Sequence, residues 1–260
     1  MKKIILLLIV VALAFTACSK SGDEPTATSL TSNPNGTLPM KIITTNGTNV
    51  VTQDFSYIGN KLARSQFSNV DYNSYTYTND LITGIAVYRS NALDGTVTYT
   101  YNGNNKLVQT LYLKPSLNQA YKDVYTYNTD GTVSLSKYSG NLTTQNTNTE
   151  NYKVFFQNGL ATKREEYKLI NGIMETEITN YTYDAKNYIF NSVLGYNKLP
   201  EYSTSKFGCL NNIISATYSA TNTAATSTSL STYTYNDSNY PIKKTETNLS
   251  GSLVVQIFYQ

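Results

Sequence analysis

The chain has no histidine and no tryptophan, only two cysteines, and charged side chains at 14% of its 260 residues. Without imidazole, a Ser-His-Asp or Cys-His nucleophile arrangement is excluded, and so is any metal site that needs a histidine ligand. Long apolar runs are missing beyond residue 15, so no helix-spanning membrane segment is expected in the body of the chain. The basic runs are no longer than Lys163-Arg164 or Lys243-Lys244, which leaves no electrostatic footprint for nucleic acid. The formal charge of +3 counts Lys2 and Lys3, and losing residues 1–17 brings it to +1 (3 − 2 = 1). Phosphate-cradling glycine loops are absent, and Asp94-Gly95, Asp130-Gly131 and Asp237 stand in turns without the alternating acids of a calcium loop. No cofactor is expected.

What is abundant is tyrosine, 24 residues, set in a recurring unit. The stretch Tyr99-Thr100-Tyr101, then Asn102 to Lys106, then Leu107 to Leu113, reads as one β-hairpin: strand chemistry on either side of turn chemistry. Aligning copies on the second aromatic and the aliphatic residue after the turn pairs Tyr57 with Leu62, Tyr77 with Leu81, Tyr101 with Leu107, and Tyr127 with Val133. Four further copies pair Phe156 with Leu160, Tyr183 with Ile189, Phe207 with Ile213, and Tyr235 with Ile242. A loose period of this size signals units that lean on their neighbours.

Side chains alternate faces along a strand, so Tyr99 and Tyr101 share one face, as do Tyr125 and Tyr127, Tyr181 and Tyr183, and Tyr233 and Tyr235. In register they form a row of aromatics across a sheet, read first as a core stripe. The functional alternative is a stacking platform for sugar rings or peptides. The predicted fold is all-β: an antiparallel meander of about 16–18 strands rolled into a barrel-like or curled single sheet, with little or no helix. Asn46-Gly47, Asn158-Gly159 and Asn171-Gly172 mark tight hairpins, whereas Ser90–Gly95, Lys114–Gln119, Gly140–Thr149 and Thr221–Thr228 read as longer connections.

Over residues 55–246 this pattern resembles the YD-repeat (Rhs-like) family. Asn60-Lys61-Leu62 and Asn105-Lys106-Leu107 stand loosely where that family carries Gly-Arg-Leu after its turn. The chain also looks like small Gram-negative lipoproteins with porin-like hairpin meanders. Both resemblances imply a curled β-shell, and neither implies catalytic residues.

At the N-terminus, Met1-Lys2-Lys3 and the apolar run Ile4–Phe15 have the form of an export signal, residues 1–17, too short to span a bilayer. Phe15-Thr16-Ala17-Cys18-Ser19 resembles a bacterial lipobox, which makes Cys18 the lipidated first residue of the mature chain and the membrane its partner. Residues 18–39, rich in Ser, Thr, Pro, Asn and Gly, read as a flexible stalk, and 40–260 as one β-repeat domain. Lys20 with Asp23-Glu24 resembles the charged tag that sends some lipoproteins to the outer face of the outer membrane. Cys209 is then alone, with no base to activate it.

The remaining chemistry is carboxylate. Glu175 and Glu177 share a face, and Glu165-Glu166 lies on the preceding strand, so an acidic patch near Asn171-Gly172 is a candidate glycan-hydrolysing pair. The plainer expectation is a set of solvent-facing charges beside Lys163, Arg164 and Lys168. Taken together, the residues point to a non-enzymatic, lipid-anchored envelope protein with a binding or structural role, its ligand a glycan or protein that the sequence does not name. A polysaccharide-binding or carbohydrate-active lipoprotein and an integral outer-membrane barrel are the alternatives.

Overall fold

A computed structural model describes residues 37–201, 206–207, 210–222, 226–248 and 251–260. The export segment, Cys18, the stalk through residue 36, and Cys209 lie outside the described residues. The first twelve strands are β1 (Pro39–Asn46), β2 (Asn49–Ile58), β3 (Lys61–Gln66), β4 (Tyr72–Thr78), β5 (Leu81–Arg89), β6 (Ala92–Tyr101), β7 (Leu107–Lys114), β8 (Gln119–Tyr127), β9 (Val133–Gly140), β10 (Gln145–Gln157), β11 (Leu160–Ile170) and β12 (Ile173–Tyr183). A two-stranded pair follows, β13 (Pro200–Glu201) with β14 (Lys206–Phe207). The last four are β15 (Ile213–Ala220), β16 (Thr226–Tyr235), β17 (Pro241–Asn248) and β18 (Gly251–Tyr259).

All but β13 and β14 form one closed barrel of sixteen strands in next-neighbour order. Because the number is even, the first and last strands run antiparallel and pair without a crossover, from Pro39↔Tyr259 to Asn46↔Leu253. Closure removes both sheet edges, which the open meander left unpartnered. Helix among the described residues is confined to two short 3₁₀ turns, Pro115–Leu117 and Tyr196–Lys198. The barrel takes in Leu38 and Pro39, both buried, so it begins within the segment read as stalk.

The repeat has a structural cause. At one rim, nearly every hairpin carries a register shift just before the second aromatic: Ser56/Tyr57, Thr76/Tyr77, Thr100/Tyr101, Phe155/Phe156, Thr182/Tyr183 and Thr234/Tyr235. A bulge leaves backbone groups without ladder partners. The tyrosine of the next strand supplies the missing partner. The Tyr57 hydroxyl donates to the Pro39 carbonyl at 2.7 Å, Tyr101 to Ile82 at 2.7 Å, Tyr183 to Ala161 at 2.6 Å, and Tyr259 to Pro241 at 2.8 Å. Tyr77 accepts from the Leu62 N–H at 2.9 Å instead.

One hairpin tests this account from within. β8 and β9 pair Tyr127 with Val133 without any shift, and the residue that would cap Val133 is Phe156, which has no hydroxyl.

The two-residue turns at Asn79-Asp80 and Asn158-Gly159, and the bulge at Ile242, also correct the expected pairing. Tyr77 faces Ile82 rather than Leu81, Phe156 faces Ala161 rather than Leu160, and Tyr235 faces Pro241 rather than Ile242. Across the following turn Leu81 pairs with Thr78 and Leu160 with Gln157, while Ile242 is the residue displaced by its bulge. Ser90-Asn91 is a two-residue turn in the left-handed region, not part of a longer connection. Gly95 lies inside β6, where a Cβ would stand 2.7 Å from the Leu113 carbonyl.

Two of the eight expected copies are not repeats. Tyr183 pairs with Ile213 across a long insertion, residues 184–212, and Phe207 pairs with Pro200 inside it. Ile189 packs against the barrel core instead of opposing Tyr183. A Tyr-x-Tyr doublet is missing from 184–212, whose described residues form no wall strand and have no bulge to cap.

Candidate functional site in the barrel lumen

Alternation assigns each wall residue to a face. The second tyrosines and their partners point inward: Leu62 and Ile82 are fully buried, and Leu107, Val133, Tyr125 and Tyr181 are buried with them. Tyr57, Tyr75, Tyr99, Tyr101, Tyr127 and Phe156 pack, partly buried, against these clusters. The expected aromatic row therefore exists, and it lines the lumen. The side chain of Phe207 lies outside the described residues.

The outward face is largely polar, with Leu230 and Phe258 among its exposed apolar exceptions. Lys41 pairs with Asp54 across β1 and β2 at 3.5 Å, Lys163 with Glu165 at 2.7 Å, and the tyrosine doublets alternate with outward threonines at 76, 98, 100, 126, 182, 232 and 234.

The insertion enters the lumen at the rim where β1 begins and β18 ends, beside the Gly59-Asn60, Asn79-Asp80 and Asn158-Gly159 turns. Phe190 meets Phe55 edge-on at 5.5 Å and stacks on Tyr196 at 4.2 Å, forming a core with Leu38, Leu62 and Val193. Its backbone ties to turns around the rim: Leu194 N–H donates to Asn60 at 3.0 Å, and Asn187 N–H to Asn239 at 3.1 Å. At Gly195 the insertion presses on the wall so closely that a Cβ would lie 2.6 Å from the Asp80 carbonyl. Asp184 accepts from the backbone N–H and the side chain of buried Asn212, and from the Tyr235 hydroxyl, fastening both ends of the insertion. This segment is a plug.

Between the plug and strands β1, β12 and β15–β18 runs a cleft of about 380 Å³. Tyr181, Tyr188, Phe190 and Tyr233 give it an aromatic wall, and Ile42, Val255 and Ile257 an aliphatic floor. Its polar groups include Ser229, Ser231 and a Lys244–Glu246 ion pair at 2.6 Å, with the Ser229 hydroxyl donating to Glu246 at 2.9 Å. Aromatic faces beside a few fixed polar groups are the make-up of a small-ligand site.

The barrel architecture is shared with solved proteins. A porin-like protein from Bacteroides vulgatus superposes with a TM-score of 0.60 at 16% identity, over 86% of this chain and 99% of that one. A porin-like protein from Bacteroides uniformis gives 0.51 at 10% identity, over 85% and 98%. The expected likeness to porin-like meanders is thus matched at the level of fold. No protein-family model matches the chain, the YD-repeat family included, and no curated protein matches it.

The acidic candidates separate. Glu165 lies on the outer face, held by Lys163 and by the Tyr167 hydroxyl at 2.7 Å; burial raises its carboxyl, yet these two bonds leave it below the usual range. Glu166 and Glu175 are buried on the inner face, so the expectation of solvent-facing charges fails there. Glu166 and Glu177 stand opposite each other in register, and the Lys168 ammonium sits between them at 3.0 and 2.8 Å. That ammonium fills the space an attacking water or a glycosidic oxygen would need. Although burial opposes its charge, the bonds to Glu177 and Glu166 raise the Lys168 pKa.

The ladder continues through Lys137–Glu150 at 3.1 Å to Asp123, whose carboxyl is raised by burial despite the Lys137 charge. Among the described residues no group of three or more His, Cys, Asp or Glu side chains could hold a metal ion.

The missed features are the plug and the cleft it completes. Only the absence of the doublet between Tyr183 and Tyr233 signalled them.

Proposed function

We propose that this chain is a non-enzymatic envelope protein of the outer membrane, tethered by a lipid on Cys18, that binds a glycan in its luminal cleft. The observation that carries this reading is the distribution of side chains on the wall. Aromatics and paired charges share the inside, while lysine–acid pairs and threonines, with isolated apolar residues such as Leu230 and Phe258, cover the outside, which suits a barrel surrounded by water and holding its recognition surface within. A lipid-facing band would put Lys163 and Glu165 in hydrocarbon, at about 2–4 kcal/mol for a cation at the midplane. Tyr181, Tyr188, Phe190 and Tyr233 offer stacking faces, and Ser229, Ser231 and the Lys244–Glu246 pair offer hydroxyl-directed hydrogen bonds.

A glycan array with the wild type and Tyr233→Ala tests the ligand. Binding lost in the variant supports the cleft, and a ligand retained with full affinity removes it. Turnover of any bound glycan would refute the non-enzymatic part.

A second reading, an integral outer-membrane barrel, draws on the sixteen-strand closure and the likeness to porin-like folds. Carbonate extraction of Cys18→Ser separates the two: the tethered protein leaves the membrane, whereas an integral barrel stays.

A further inference from the structure

The rim opposite Pro39 and Tyr259 exposes aliphatic side chains at five hairpin tips: Val50 at 62%, Val70 at 39%, Leu93 at 54%, Leu117 at 56%, and Leu169 at 70% with Ile173 at 64%. They belong to the hairpins β1–β2, β3–β4, β5–β6, β7–β8 and β11–β12. The wall tips of the plugged rim expose fewer, Ile58 at 74% and Ile242 at 41%. Turn positions favour small polar residues, so aliphatics gathered on five tips of one rim mark an apolar ring that suits a partner.

Just behind the tips lie stacked tyrosine pairs, Tyr72 on Tyr88 at 4.5 Å and Tyr112 on Tyr121 at 6.2 Å. Arg89 and Lys114 end their strands at the same level, Lys114 paired with Asp94 at 3.7 Å and Asp71 accepting from the Ser90 N–H.

We infer that this rim seats on a phospholipid bilayer, its aliphatic tips in the boundary between headgroups and acyl chains. The tips of a next-neighbour barrel end around one ring, and a planar partner touches all of them together. Apolar tips backed by tyrosine and then by cations reproduce the order of a membrane interface. Arg89, which has no acidic partner among the described ion pairs, adds attraction to anionic lipid. Reach is sufficient if Cys18 carries lipid, the one point at which this rests on the reading above. Residues 19–37 extend to about 60 Å at roughly 3.3 Å each, about twice the length of a ten-residue strand. The chain can therefore leave the barrel at the plugged rim while the opposite rim rests on the same membrane.

The natural chain lacks tryptophan, so a single introduced one reports alone. In the mature-length chain 18–260, which keeps every strand, Cys18→Ser removes the lipid. Leu93→Trp and Ile173→Trp report the apolar rim, Ile58→Trp the plugged rim, and Thr98→Trp the mid-wall. Each is mixed with phosphatidylcholine–phosphatidylglycerol vesicles with and without brominated acyl chains. The expected result is a blue shift and quenching at Leu93→Trp and Ile173→Trp, with none at Ile58→Trp or Thr98→Trp. Replacing Leu93, Leu169 and Ile173 with serine should lower vesicle partitioning about tenfold or more with an unchanged circular dichroism spectrum.

Absence of any vesicle-dependent change at the rim overturns the proposal and leaves the lipid anchor intact. Quenching at Thr98→Trp overturns it in favour of an integral barrel. Retained partitioning of the serine variant overturns it as well.

Discussion

The two rims of the barrel are built from the same strands and solve different problems. At the plugged rim, bulges displace backbone groups from the ladder, tyrosine hydroxyls recover them, and a 29-residue insertion fills the opening. At the other rim register shifts occur in only two hairpins, β5–β6 and β9–β10, no tyrosine doublet accompanies them, and aliphatic side chains point into solvent. The difference teaches that the tyrosine doublet is not a general sheet-former here. It is the fastening of one rim, placed where bulges make it necessary, and it gives the barrel an inside before any loop fills it.

The largest expected effect comes from alkali. Burial raises the phenol pKa of Tyr57, Tyr99, Tyr101 and Tyr125, and brings Tyr77 up to about 12. The unfolded chain ionises these groups near pH 10, and the folded chain holds them neutral above it. Stability is therefore complete below pH 10 and falls from there to about 12 and beyond, by roughly 1.4 kcal/mol per pH unit for each phenol ionised only on unfolding. Phenolate absorbance at 295 nm should rise together with loss of the β circular dichroism signal. Gradual ionisation of these phenols in a folded barrel would show that the doublets are not sealed inside.

Next in size is Phe190→Ala, which opens the core shared by the plug and β2–β3 and should cost about 3–5 kcal/mol in denaturant unfolding. A smaller loss, about 1–3 kcal/mol, is expected for Gly195→Ala, because φ is +73° and the Asp80 carbonyl blocks a Cβ. Tyr101→Phe should cost about 1 kcal/mol by leaving the Ile82 carbonyl without its donor. The reverse change, Phe156→Tyr, should stay within about 0.5 kcal/mol, since the unshifted β8–β9 hairpin frees no carbonyl to receive the new hydroxyl. Smallest of all is Ile173→Ser on the open rim, within about 0.5 kcal/mol by the same measurement. A gain from Phe156→Tyr equal to the loss at Tyr101 would break the link between bulge and hydroxyl.

Much of the wall was legible because it repeats. Alternation placed Tyr99 with Tyr101 and Tyr125 with Tyr127 on one face, and Asn158-Gly159 and Asn171-Gly172 were read as tight turns whose residues do take positive φ. Partners at the plugged rim differ by a residue at Tyr77 and Phe156, where a two-residue turn pairs the residues beside it first, and at Tyr235, where a bulge adds a residue without changing composition. The candidate site was less legible. Tyr233 was anticipated as an aromatic of the row, but Phe190, Tyr188, Lys244 and Glu246 meet only through closure and the plug. Glu166 and Glu175 looked like surface charges because a local pattern cannot tell a lumen from solvent.

Short-range chemistry in the chain itself determined the strands, their turns and the common face of the tyrosines, for these depend on neighbours within a few residues. Tertiary structure decided that the sixteenth strand would meet the first, that the common face would turn inward, and that residues 184–212 would fold into the opening. Those outcomes depend on curvature summed over the whole sheet and on burial between segments more than a hundred residues apart, as between Phe55 and Phe190, which no local window contains.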